Sequence, residues 1–181
     1  MVLIGLYGCS PAIRAYYNYD KNDQIQKYKT FNWEIGKQAE FEINLLRDDK
    51  LTDRKIKSAV NDLLRLKGYL VTQVDADLSI HYHIEIEECS IFWPDPDGYV
   101  YGDYFMRPRP DIFTYREGTL TIDIINAKNK NLVWRGWAVG AMEVVNYDTT
   151  NTDAVIRSAV TKILLNLPEA AIDTIPAVTF R

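Results

Sequence analysis

The stretch "GTLTIDIINAKNKNLVWRGWAVGA", residues 118–141, decides the fold. In its first half Leu120, Ile122 and Ile124 alternate with Thr119, Thr121 and Asp123, the two-residue period of a strand with one buried face. A second strand follows from Leu132, and the polar "KNKN" at 128–131 between them is turn-prone. The two halves therefore read as an antiparallel hairpin. By alternation Trp134 shares a face with Leu132, whereas Trp137 shares one with Val133 and Arg135. Arg135 can then stack on Trp137 or pair with Asp123 across the hairpin. Gly136 leaves room for a neighbouring ring.

Working outward, "ADLSIHYHIEIEE" (76–88) sets Leu78, Ile80, Tyr82, Ile84 and Ile86 against His81, His83, Glu85 and Glu87. After Glu88 the apolar positions shift to Cys89, Ile91 and Trp93, which predicts a bulge or a strand end. "KYKTFNWEI" gives an earlier half-buried strand through Phe31, Trp33 and Ile35. Residues 36–50 read as a connection, with room for a helical turn at "AEFEINLL".

Two amphipathic helices flank these strands. The first carries Ile56, Ala59, Val60, Leu63 and Leu64 on one face, with Thr52 as its cap and Gly68 as its left-handed stop. The second carries Val155, Ile156, Ala159, Val160, Ile163, Leu164 and Leu167, with Thr152 as cap and Pro168 as terminator. Each has one apolar stripe, which a sheet can cover. The expected class is α+β, a mainly antiparallel sheet with two α-helices packed on one face in the order β-α-β-β-β-α.

At 181 residues the chain has room for one domain. Its net charge of −4 and the absence of a concentrated basic run argue against nucleic acid as a partner. The two cysteines, Cys9 and Cys89, make neither a disulfide framework nor a metal quartet. "LIGLYGC" (3–9) has the form of a bacterial lipobox, an apolar run and a small residue before the cysteine that accepts the lipid. Tyr7 is bulky for its place, and the eight residues before Cys9 contain no Lys or Arg. The alternative is a short apolar tail or a first strand. On the lipobox reading residues 1–9 are the truncated end of a signal peptide, and 10–27 a polar tether. One domain follows at 28–168, and 169–181 is a C-terminal tail. Cys9 then ties the protein to a membrane of the cell envelope, and Ser10 after it is compatible with the outer membrane, facing the periplasm.

Three candidate sites remain. His81, His83 and Glu85 point to one strand face and could ligate a metal, as in a metal-dependent hydrolase. Ligands two residues apart along one strand rarely close a coordination shell alone, and the same residues suit a solvated sheet face. Cys89 has only His81 and His83 as histidine partners, and after the expected parity shift they point away from it. No Gly-x-Ser-x-Gly elbow, phosphate loop or dinucleotide fingerprint is present, so no catalytic residue and no cofactor is expected. The third candidate is the loop at 92–118. Its Trp93, Tyr99, Tyr101, Tyr104, Phe105, Arg107 and Arg109 suit a binding surface for a protein or glycan of the envelope, or for a membrane interface. The same rings could instead fold back as a lid over the sheet.

The early "F-x-W" (Phe31, Trp33), "KGY" (67–69), the run from Asp77 to His83, "GTLTID" (118–123) and "LVWRGWA" (132–138) together resemble the bacterial lipoprotein family of domain of unknown function 4136. The final helix closing on Leu167 and Pro168 is similar to that family too. The resemblance spans about residues 28–168 and implies a lipidated envelope protein. It implies no reaction and no catalytic residues.

Overall fold

In the computed structural model, which describes residues 13–34, 49–93, 111–141 and 149–171, the opening hairpin lies inside a six-stranded sheet. The elements are β1 (Arg14–Tyr19), β2 (Thr30–Trp33), α1 (Asp49–Leu66), β3 (Leu70–Val71), β4 (Leu78–Trp93), β5 (Asp111–Asn126), β6 (Leu132–Ala141) and α2 (Thr149–Leu164). Across the sheet they run β1-β6-β5-β4-β2-β3. The β1/β6, β6/β5 and β5/β4 pairs are antiparallel, and β2 is parallel to both β4 and β3. The class is α+β with a mostly antiparallel sheet, as its alternation predicts.

One face of the sheet holds the core. Leu78, Ile80, Tyr82, Leu120, Ile122, Ile124, Trp134 and Ala138 are buried with Ile56, Val60 and Leu64 of α1 and Val160, Ile163 and Leu164 of α2. Gly136 is part of this packing. A Cβ there would stand 2.6 Å from Ile163 Cγ2 and 3.3 Å from both Ile163 O and Trp134 Nε1, so the glycine lets helix α2, as well as an indole, approach. Helix α1 ends in the expected left-handed turn at Gly68 (φ 87°), where Tyr69 N–H donates to Leu64 O and Gly68 N–H to Arg65 O.

Several boundaries differ from the sequence reading. Helices α1 and α2 begin at Asp49 and Thr149, so Thr52 and Thr152 lie inside their first turns. The stretch read as tether contains β1, whose six residues pair with β6, and a short 3-10 turn at Ile25–Lys27. Its tyrosines suit a strand, but exposure of most of its residues hides the one-sided pattern that marks buried strands. Strand β4 continues without a bulge, since its pairing with β5 holds one register from Leu78↔Asn126 to Trp93↔Asp111. Past Glu85 the two strands leave the core as a ribbon. There alternation stops reporting burial, which explains the apparent parity shift. Residues 111–118 therefore belong to β5 and shorten the expected loop. The real irregularity lies between Ile124 and Ile125, where the register with β6 shifts and leaves Val133 buried and Leu132 exposed. Residues 169–171 are not a free tail: Ala170 N–H donates to Lys67 O, and Ala171 N–H to Gln26 O. The connection at 36–50 lies largely outside the described residues.

Candidate functional site

The face of the sheet turned away from α1 and α2 is where the polar side chains of β4, β5, β6 and β1 meet. Cross-strand pairing sets Asn18, Arg135, Asp123 and His81 in one row across four strands, and Tyr16, Trp137, Thr121 and His83 in the next. Asp123 and Thr121 are buried in spite of facing away from the helices. Arg135 Nε and Nη2 donate to the two Asp123 oxygens, each at 2.6 Å, a two-pronged pair that fixes the carboxylate plane. The hydrogen bonds that Arg135 donates to Asp123, with the charge of that carboxylate, raise the Arg135 pKa against the opposing effect of burial. Of the two partners open to Arg135 in the sequence, the structure selects Asp123. Trp137 stacks on Tyr16 instead, with ring centroids 5.6 Å apart.

His81 and His83 share this face, as alternation requires. The third group they meet is Asp123 from the neighbouring strand; one ligand atom from each of the three lies within 4.8 Å of the others. Glu85 is not that third group. It is exposed, and among the described residues it reaches His83, at 3.6 Å. A residue opposite on the next strand stands nearer than one two positions along the same strand. Sequence periodicity cannot supply such a neighbour until the hairpin register is known.

With no bulge, Cys89 keeps the same face as the histidines. Six residues of extended strand, ~20 Å, separate it from His83. Its Sγ instead lies 3.9 Å from Glu117 Oε2. The distance, and not opposite facing, is what parts thiol from imidazole.

Of the proposed aromatic surface, Tyr99, Tyr101, Tyr104, Phe105, Arg107 and Arg109 lie outside the described residues, as does Cys9. Trp93 closes β4. The ribbon leading to that surface is described, and it exposes Ile91, Ile112 and Phe113. The sequence reading missed Tyr16 and Asn18, which reach the site only because β1 is a strand. Alternation of Arg14, Tyr16 and Asn18 against Ala15, Tyr17 and Tyr19 was the available signal.

Among solved structures, a PDZ domain protein from Parabacteroides distasonis matches with a TM-score of 0.54 and 13% identity, over 90% of this chain. The chain spans only 38% of that protein, and the likeness is one of fold. A DUF4136 family protein from Bacteroides thetaiotaomicron matches with a TM-score of 0.49 and 16% identity, over 82% of this chain and 94% of its own. A PelC dodecamer from Paraburkholderia phytofirmans matches with a TM-score of 0.48 and 13% identity, over 89% of this chain and 100% of its own. No curated protein matches. The family model for DUF4136, a domain of unknown function, matches residues 15–169, from β1 to the turn beyond α2. This chain belongs to the DUF4136 family.

Proposed function

We propose that this protein is held at a bacterial cell-envelope membrane by a lipid on Cys9 and serves there in binding or scaffolding, not in catalysis. The observation that carries the reading is where β1 begins. Only five residue steps separate Cys9 from Arg14, a reach of at most ~18 Å. The exit of this link is secured on the domain, because Lys162 Nζ donates to Ile13 O at 2.9 Å and Ile13 packs on the core. The domain is thus tied closely to its anchor instead of hanging on an eighteen-residue tether.

Register then gives the domain an orientation. Arg14 is level with Val139, Thr119 and Glu85 across the sheet. The β4/β5 ribbon runs on from that same end for the eight steps from Glu85 to Trp93, ~26 Å of strand. A ribbon longer than the link, leaving the same end of the sheet, reaches the surface in which the lipid is seated. Its exposed Ile91, Ile112 and Phe113 suit the apolar side of that interface. Among the described residues no helix is long and apolar enough to cross a membrane. On this reading the covalent lipid and the ribbon do the holding. One acyl chain gives marginal attachment, and several chains or a second contact make it stable.

Metabolic labelling with a palmitate analogue tests the anchor. The protein should be labelled and should partition with membranes, and Cys9→Ala should lose the label. Equal labelling of both proteins would contradict the reading.

A further inference from the structure

We propose that His81, His83 and Asp123 form a binding site for one divalent transition-metal ion of zinc's class. Two imidazoles and a carboxylate are a donor set suited to zinc and its neighbours, and poorly suited to magnesium or calcium, which prefer oxygen donors alone. The geometry is close to a built site. Ligand atoms within 4.8 Å of one another come from two adjacent strands of a rigid sheet, the histidines from β4 and the aspartate from β5. An ion ~2.1 Å from each ligand atom needs them ~3.3 Å apart, so small side-chain rotations complete the set. Such rotations are open to the imidazoles. Among the described residues neither makes a hydrogen bond, and the polar contact of His83 is the long approach to exposed Glu85.

Asp123 is held differently, and this favours the site. Arg135 takes one lone pair on each carboxylate oxygen and leaves the others for an ion. Ligating carboxylates are commonly oriented by hydrogen bonds from outside the coordination shell, and Arg135 is placed to do this. The open side of the site faces away from the helices, where water can complete the coordination. The site stands whether or not Cys9 is acylated.

The test is zinc titration of the full chain under reducing conditions by calorimetry, with histidine ring resonances followed by NMR. One zinc per chain should bind, shifting two imidazole Cε1–H signals, and excess magnesium should not displace it. His81→Ala and His83→Ala should each weaken binding at least tenfold, and Glu85→Gln should leave it unchanged. Asp123→Asn should weaken it likewise; if that variant does not fold, the two histidine variants decide. Absence of stoichiometric zinc overturns the proposal. So does zinc that survives in the His81→Ala, His83→Ala double variant, since that metal would sit on the thiols of Cys9 or Cys89.

Discussion

Gly136 sits where helix α2 packs closely on the sheet. The Cβ of an alanine would stand 2.6 Å from Ile163 Cγ2, with a backbone oxygen and the Trp134 indole 3.3 Å away, so α2 must lift or Ile163 must leave its rotamer. Overpacking of this kind costs ~1–3 kcal/mol. Urea denaturation of Gly136→Ala should show a lower midpoint with an unchanged slope. An unchanged midpoint would mean that α2 is not seated as described. At this scale the sequence was partly legible. Alternation across one hairpin marks the space left by Gly136 and narrows Arg135 to two partners, Trp137 and Asp123, without choosing between them. That Asp123 also faces two histidines does not follow from alternation, because it depends on a register between strands joined through residues 94–110.

Strands and helices that meet the core were readable because burial on one face leaves a period in the sequence. The apolar stripes of α1 and α2 and the alternation of the core-facing parts of β4 and β5 are recovered, and so is the left-handed stop at Gly68. The missed strands lie where that face is absent or too short to show a period. Strand β1 and the outer ribbon are largely exposed, so hydrophobic period could not mark them, and β3 is two residues long. The parallel pairing of β2 beside β4 rests on a polar clasp that no period reveals. Asp77 Oδ2 accepts from Lys29 N–H at 3.0 Å, Thr30 N–H at 3.1 Å and Thr30 Oγ1 at 2.9 Å. Burial pushes the Asp77 pKa up, but these bonds outweigh it and hold the carboxyl below its ordinary value. A carboxylate with a depressed folded pKa stabilises the protein above its unfolded pKa, and that contribution is lost as pH falls through the folded value. Asp77→Asn should therefore cost ~1–2 kcal/mol at neutral pH, and the gap to wild type should start to narrow as pH falls below about 4. Urea midpoints at the two pH values check this. A gap that widened in acid would contradict the assignment.

For the whole molecule, the N-terminal reading gains a geometry that the motif alone lacked. A polar segment after a lipobox reads as a spacer. Pairing of residues 14–19 into the sheet leaves few residues between Cys9 and the domain, and Arg14 lies at the ribbon end of the sheet. The opposite end carries the β5/β6 turn, where Lys130 adopts a positive φ of 61°. If Cys9 holds the membrane, these two ends differ in depth by most of the length of β5. The most direct measurement places an environment-sensitive fluorophore at position 113 or at position 130 of the acylated full-length protein, in vesicles containing lipids with quencher-labelled headgroups. Strong quenching is expected at position 113 and little at position 130. Equal quenching at both, or stronger quenching at 130, would contradict the proposed orientation even with Cys9 acylated.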